Sequence, residues 1–376
     1  MTNDLNQYTK KRNGFLPYIA GGAGVAFLAL LAGFVLKPGG HNDQVNAVST
    51  YQGEDKAALD ALYQDAVSKG EAKLVITGEE ASDPTTNAGA VYATFSKRFP
   101  GIKVVSATAY GADLFARIDG EYTSGNHQTS VIVIGPSDVN YIGKQGRLIK
   151  WLPTNAGKLP DSYRDPNGWF AYVWRAPLGL AYNTEKLNPE DVPHTIDELG
   201  DPKWKGKISA FDVSSGSNTS VFAQTELLQN GFVTEEQLKK IRENSVLVKE
   251  NPYGPVAEGR ADIGIWYLSI PQGAPVAFAP LVDGTAMLFS AFAILDKAPA
   301  PDAAKLLFTW LLTQDGQRTI VEKSPFSLST IKNGPKSATA VDVSGYEDKI
   351  GKLPASEFYD DIQKWLPTIK RIWASE

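Results

Sequence analysis

Short, continuously apolar segments alternate with amphipathic ones through the first third of the chain. The run SVIVIG, Ser130 to Gly135, has no charged position, and KLVITG and IKVVSA precede it with similar character. Strands of this kind are buried on both faces, as in a parallel sheet that is covered by helices. Between them, GAVYATFSKRF places Val91, Phe95 and Phe99 on one helical face. The pattern predicts an α/β fold.

The same alternation resumes after two extended runs, Phe170 to Arg175 and Leu178 to Tyr182. A long apolar strand, Ala286 to Leu295, follows near the end, and an amphipathic helix with Pro301 near its first position comes after it. Domains typically hold about 100–200 residues, so a chain of 376 residues is expected to form two. Each is predicted to contain a mainly parallel sheet flanked by helices.

The N-terminal segment bears on the cellular compartment. Lys10, Lys11 and Arg12 precede an uncharged run, Phe15 to Leu36, which as a helix would span about one hydrocarbon core, roughly 33 Å. The positive cluster favours a cytoplasmic segment over residues 1–14 and a chain that continues outside the cytoplasm. The apolar helix over 15–36 is either a transmembrane anchor or the core of a cleaved signal peptide, and residues 37–52 form a linker.

Composition excludes several classes of function. The net charge is −5 and no basic stripe with interleaved aromatic residues is present, so we expect no nucleic-acid partner. Cysteine is absent, which excludes disulfides, thiolate metal sites and a lipid-modified N-terminal cysteine. No sequence motif for nucleophilic, zinc or nucleotide chemistry is found, so we expect neither an enzyme nor a cofactor. The paired carboxylates Glu79 and Glu80 leave a hydrolase as the least favoured alternative.

Polar loops follow the predicted strands, and ligands of open parallel sheets bind beyond the carboxyl ends of strands. A carboxylate in such a loop can meet a cation or an amine, and a tyrosine can stack on a ligand, although a solvated turn or simple packing explains each equally well. The candidates in the first half of the chain are Gly78, Glu79, Tyr110, Gly111, Ser137 and Asp138.

The stretch FDVSSGSNTS precedes a predicted helix and is rich in small hydroxyl residues. The N–H groups of a helix start, together with nearby hydroxyls, can bind a phosphate, phosphonate or carboxylate. The alternative is that one residue caps the helix and the others are hydrated. The residues concerned are Ser215, Gly216, Ser217, Asn218 and Thr219.

Three further residues are candidates. Trp266 and Tyr267 follow the strand ADIGI and either clamp an organic ligand by its faces or pack at the strand end. Arg175 lies on the extended runs and either pairs with an anionic ligand or forms a structural ion pair.

Several segments together resemble a known family. They are LGLAYNTEKLNPEDVPHTIDELGDPKWKGKISAFD, EGRADIGIWY, GAPVAFAPLVDGTA and APDAAKLLFTWLLTQDGQ. In their order and spacing they resemble bacterial extracellular solute-binding proteins of ABC transporters, in the group that includes iron(III), phosphonate and polyamine binders.

The resemblance implies a two-lobed periplasmic-binding-protein fold of type II-like form, joined by crossing strands, with the ligand in the cleft between the lobes. The first lobe would cover residues 53–175 and the second 176–285, and residues 286–376 would return to the first lobe and end in helices. Iron-binding members use adjacent tyrosines, whereas this chain has Trp266 and Tyr267. Tyr267 is therefore a metal ligand only if Fe³⁺ is bound.

These features predict a monomeric, extracytoplasmic binding component of an ABC importer, secreted to the periplasm or held at the inner membrane by an uncleaved N-terminal helix. Hinge closure would capture a small ligand for delivery to a permease. An oxyanion or phosphonate-type organic anion is the first expectation, ferric iron the second and a polyamine the third. A membrane-tethered ligand sensor is the alternative function.

Overall fold

The structure is a computed structural model, and it describes residues 48–79, 81–109, 111–214, 219–249, 251–267, 274–324, 327–336, 347–349 and 358–373. Residues Asn46–Glu376 form one compact unit. The predicted apolar helix over 15–36 lies outside the described residues, as do residues 1–14 and most of the linker. Within the described part of the chain, no helix combines the length and apolar character needed to cross a bilayer.

The first sheet has five strands in the order β2-β1-β3-β10-β4. The bounds are β1 Lys73–Gly78, β2 Lys103–Ala107, β3 Val131–Ile134, β4 Phe170–Leu178 and β10 Ala286–Ile294. Strands β2, β1 and β3 are parallel, whereas β10 runs antiparallel to both β3 and β4. All four residues of β3 are buried, as its apolar sequence predicts.

The second sheet also has five strands, in the order β7-β6-β8-β5-β9. The bounds are β5 Leu180–Asn183, β6 Ile208–Phe211, β7 Ser245–Val248, β8 Ile263–Ile265 and β9 Val276–Ala279. Strands β7, β6 and β8 are parallel, and β5 is antiparallel to β8 and β9.

Both sheets are mixed, where the sequence predicted mainly parallel ones. The difference comes from the strands that join the two sheets. One connection runs from β4 to β5 and the other returns from β9 to β10, so the two run in opposite directions. As a result, β4 pairs antiparallel with β10 in the first sheet, and β5 pairs antiparallel with β9 in the second. An apolar run in the sequence indicates burial on both faces and carries no information about the direction of the neighbouring strand.

Helices surround the sheets, and several begin at caps visible in the sequence. Thr86, Thr234 and Thr313 each accept a hydrogen bond from a backbone N–H in the first turn of α2, α7 and α10. The helices are α1 Lys56–Ser68, α2 Asn87–Arg98, α3 Gly111–Ser124, α4 Pro136–Lys144, α5 Ile196–Leu199, α6 Thr219–Gln229, α7 Glu235–Asn244, α8 Tyr253–Ala257, α9 Pro301–Leu311, α10 Gln314–Lys323 and α11 Phe358–Trp373.

Two apolar cores hold these layers. One core lies between the first sheet and helices α1, α2 and α9. The other begins under α3 and α4 on the opposite face of the first sheet and continues without a break into the second sheet. We call each sheet with its packed helices a lobe. Helix α11 contacts α4 as well as α6 and α7, so it packs against elements of both lobes.

The crossings determine where the lobes meet. The chain leaves the first sheet at Leu178 and enters the second at Leu180, and it returns between Ala279 and Ala286. The strand directions place both crossings at the edge of each sheet where the parallel strands have their carboxyl ends. The loops that follow β1, β2 and β3 and those that follow β6 and β8 therefore border one cleft.

Candidate functional site

Glu79 lies directly after β1, on the first-lobe side of the cleft. Its Oε2 accepts a hydrogen bond from the phenol of Tyr92 on α2 at 3.1 Å, and the hydroxyl of Ser290 on β10 also bonds to the carboxylate. Burial raises the pKa of the Glu79 carboxyl to about 7, although the two hydroxyls favour its charged form. The residue retains partial exposure. A carboxyl whose pKa is raised by burial thus lies at the cleft.

Gly78 accounts for the position of Glu79. Its φ is +120°, and a Cβ at this position would approach the carbonyl oxygen of Val133 on β3 to 2.1 Å. Only glycine fits this backbone, because a side chain would collide with the neighbouring strand. The role of Gly78 in the described structure is thus to turn the chain at the end of β1.

Asp138 lies in the first turn of α4, after β3. Its carboxylate accepts hydrogen bonds from the backbone N–H of Gly111, at the start of α3, and from the side chain of Ser137. Burial raises the pKa of Asp138 despite these bonds. The structure therefore brings Gly111, Ser137 and Asp138 together. It also shows that the N–H of Gly111 is used by a carboxylate of the protein itself.

The second-lobe side of the cleft holds the start of α6. Thr219 is the first residue of this helix, and Ser220 is fully buried. Before the helix, the backbone N–H of Ser214 donates to Asp212 at 2.8 Å. Ser215, Gly216, Ser217 and Asn218 lie outside the described residues, as does Tyr110, so their predicted roles stay predictions.

Trp266 and Tyr267 follow β8 and point to different environments. Trp266 has a φ of +56°, is fully buried and packs its ring edge against Trp373 of α11 at 5.6 Å between centroids. Its backbone N–H donates to the carbonyl of Gly179 in the crossing at 2.8 Å. The structure thus supports the packing alternative for Trp266.

Tyr267 is partly exposed, and burial of its phenol raises its pKa. Tyr253 fixes its backbone: the Tyr253 hydroxyl donates to the Tyr267 carbonyl at 2.6 Å and accepts from the Tyr267 N–H at 3.1 Å. The Tyr253 and Phe211 rings pack beside that of Tyr267. Tyr267 is thus the member of the Trp266–Tyr267 pair that is available to a ligand.

Arg175 lies on β4, three residues before that strand ends. Its guanidinium donates to the carbonyl of Ser329 at 2.8 Å and to the hydroxyl of Tyr163 at 2.9 Å, and it lies 5.6 Å from the centre of the Tyr163 ring. These contacts tie β4 to the segment around Ser329. Among the described residues, the partners of the guanidinium are a carbonyl and a phenol, not the carboxylate that an ion pair requires.

Sequence reasoning missed Tyr92, Ser290 and Tyr253, the residues that hold Glu79 and Tyr267. Tyr92 follows Val91 on the buried side of α2, where its ring is indistinguishable from core packing. A buried tyrosine hydroxyl usually finds a partner, and this rule is the signal that could have marked it. In the described part of the chain, no group of three or more His, Asp or Glu side chains is arranged to hold a metal ion.

Comparisons with known proteins agree with this architecture. The family model for bacterial extracellular solute-binding proteins matches residues 139–341, more than half of the chain. Iron uptake protein A2 of Synechocystis sp. is 25% identical over 251 residues, which cover 60% of this chain and 70% of that protein.

Two solved structures share the fold. The periplasmic binding protein AfuA of Actinobacillus pleuropneumoniae, with exogenous fructose-6-phosphate bound, has a TM-score of 0.63 and 24% identity, covering 79% of this chain and 98% of that one. Iron-bound HitA of Pseudomonas aeruginosa has a TM-score of 0.62 and 19% identity, covering 80% and 99%.

Proposed function

The chain belongs to the family of bacterial extracellular solute-binding proteins, and we propose that its ligand is a small organic anion of the phosphorylated or phosphonate type. Proteins of this family are extracytoplasmic components of ABC transporters that bind solutes and pass them to a permease, and they are not enzymes. The proposal thus concerns the identity of the solute and the residues that hold it.

One observation carries the preference for an organic anion over ferric iron. Fe³⁺ is a hard cation, and the iron-binding members that the sequence resembles hold it with paired tyrosine phenolates. In this chain the first position of the pair is Trp266, which is buried against Trp373. The neighbouring phenol of Tyr253 is committed to the backbone of Tyr267. The pair therefore supplies a single available phenol, that of Tyr267.

The second lobe offers a place for the anionic group. Helix α6 begins at Thr219, on the cleft side of β6, and the preceding loop carries serine, glycine and asparagine. Helix α6 has eleven residues, and its start carries the positive end of the helix dipole, where backbone N–H groups can bind an anion. Tyr267, which follows the adjacent β8, would contact the body of the ligand. The AfuA complex with fructose-6-phosphate supports a phosphorylated ligand for this fold.

A thermal-shift screen followed by calorimetry tests this proposal. The panel contains fructose 6-phosphate, 2-aminoethylphosphonate, inorganic phosphate, ferric citrate and a polyamine, each added to metal-free protein. The proposal predicts stabilisation by a phosphorylated or phosphonate compound, since a ligand that binds only the folded state raises the melting temperature. Stabilisation by ferric citrate alone would make ferric iron the ligand and Tyr267 its candidate phenolate.

Hinge closure is the proposed mechanism. The crossings join the two lobes, and α6 and α11 pack between them, so rotation about the crossings can bring the loops after β1 and β3 toward the start of α6. A ligand favours the closed form to the extent that it contacts both lobes there.

A further inference from the structure

The carboxyl of Glu79 is held by two hydroxyls from separate elements. Tyr92 donates from α2 at 3.1 Å, and Ser290 bonds from β10. Tyr92 is almost completely buried, and burial together with the Glu79 carboxylate raises the pKa of its phenol well above the ordinary value, so the phenol stays a donor. Ser290 lies at the point where the register between β10 and β4 shifts. A break in strand register of this kind can redirect a side chain.

The rim of the first lobe is acidic. The loops TGEEASDPTT, SATAYGAD and GPSDVNY contain glutamate and aspartate and no lysine or arginine. Asp138 already occupies the N–H at the start of α3. An anionic group placed at this rim would meet carboxyls and no basic partner from these three loops. Hydroxyl and ammonium groups, by contrast, can donate hydrogen bonds to a carboxylate.

We propose that Glu79 is the specificity-determining residue of the first lobe, that Tyr92 and Ser290 position it, and that it accepts a hydrogen bond from a hydroxyl or ammonium group of the ligand. The inference rests on the proposed function, because the anionic end of the same ligand would then face the start of α6. The ligand is thus bipolar: a phosphate or phosphonate at one end and a donor-bearing body at the other. Inorganic phosphate, which lacks such a body, would be a poor ligand.

Two matched pairs of compounds test this by calorimetry on the full chain. Fructose 6-phosphate is compared with inorganic phosphate, and 2-aminoethylphosphonate with ethylphosphonate. In at least one pair, the member with donors is expected to bind more tightly. Glu79→Gln is expected to weaken the binding of that member by about tenfold or more, which is the contribution of one hydrogen bond to a charged group. The affinity for the other member should stay nearly unchanged.

Tyr92→Phe tests the positioning role, with Tyr51→Phe as the control. Tyr51 is also buried, but its hydroxyl donates to the carbonyl of Glu54. A ligand donor favours ionised Glu79, so the affinity of the wild type relative to Glu79→Gln should rise as pH increases through about 7, where Glu79 titrates. Loss of the Tyr92 donor raises the Glu79 pKa further, so in Tyr92→Phe this rise moves to higher pH, whereas Tyr51→Phe leaves it in place.

The outcomes separate the two claims. If the phosphorylated or phosphonate compounds bind but neither pair is discriminated, or if Glu79→Gln weakens both members of a pair equally, the inference about Glu79 is wrong and the proposed ligand class stands. A Tyr92→Phe profile identical to that of the wild type removes the positioning role of Tyr92. If none of the four compounds binds, the proposed ligand class is wrong and the inference falls with it.

Discussion

Glu226 on α6 accepts a hydrogen bond at its Oε2 from the backbone N–H of Met287 on β10, at 2.7 Å. This bond joins a helix of the second lobe to the strand that returns to the first. Glu226 is fully buried, and its Oε1 has no hydrogen-bond partner among the described residues. Burial raises the pKa of Glu226 well above its ordinary value. The contact thus places a buried acid beside the return crossing.

Replacing Glu226 by glutamine should change how stability depends on pH. Because the folded state holds the Glu226 proton above the ordinary pKa of 4.5, the contribution of Glu226 to stability is fully present below that pH and is lost as pH rises above it. Glu226→Gln stays neutral and keeps the acceptor for Met287. We expect the two proteins to be similar near pH 4.5 and the variant to gain about 1.4 kcal/mol per pH unit wherever only the folded state is protonated.

Urea unfolding across pH 4.5 to 8 measures this difference, and Glu236→Gln on the exposed face of α7 is the control. A gap between wild type and Glu226→Gln that stays constant with pH would show that Glu226 titrates as it does in the unfolded chain. A similar slope change in Glu236→Gln would point to a general charge effect.

Replacing Gly78 and Gly111 by alanine is expected to destabilise the protein by different amounts. Both have positive φ, but a Cβ on Gly78 would approach the Val133 carbonyl to 2.1 Å, whereas a Cβ on Gly111 has nothing within 4 Å. Gly78→Ala is expected to lose about 3 kcal/mol or more, from strain and collision together, and Gly111→Ala about 1 kcal/mol from strain alone. Chemical denaturation of both variants checks this. Equal losses would mean that the end of β1 relaxes freely.

The pair Trp266 and Trp373 predicts that α11 is part of the folded core. Both indoles are fully buried and meet edge to face at 5.6 Å. Trp373→Ala should cost about 3–5 kcal/mol, as expected for a large aromatic residue removed from a core. A double-mutant cycle with Trp266→Phe should leave a coupling of about 0.5–1.5 kcal/mol. A loss below 1 kcal/mol for Trp373→Ala would mean that α11 docks only weakly.

Phenylalanine variants of Tyr267 and Tyr253 distinguish a phenol that contacts the ligand from one that holds the backbone of its neighbour. Tyr267→Phe removes a partly exposed phenol, so we expect about a tenfold loss of ligand affinity and little change in melting temperature. Tyr253→Phe removes the hydroxyl that makes two hydrogen bonds with the backbone of Tyr267, so it should lower stability by about 1–2 kcal/mol as well. Calorimetry and thermal melts on both variants distinguish these effects. Unchanged affinity in Tyr267→Phe would place the phenol outside the site.

The sequence was sufficient for the two-sheet architecture, because buried strands and capped helices are local patterns. The apolar run of β3 is a buried strand, as the pattern predicts. It also located Glu79 and Asp138 at strand ends.

The contacts of the site residues were less predictable, because they depend on segments that are distant in the chain. Trp266 turns inward because Trp373 packs on it, and Arg175 is engaged by Ser329. Neither partner is marked by its local sequence. The Tyr92–Glu79 bond is similar, since a helical pattern treats Tyr92 as an ordinary apolar-face residue.

Closure of the two lobes on a small ligand is the central claim, and solution X-ray scattering tests it most directly. The protein is measured alone and with a saturating concentration of the compound that stabilises it most in the thermal-shift panel, with Tyr267→Phe at the same concentration for comparison. We expect a smaller radius of gyration for the liganded wild type, because closure brings the lobes together. Identical scattering profiles with and without a compound that calorimetry shows to be bound would contradict it.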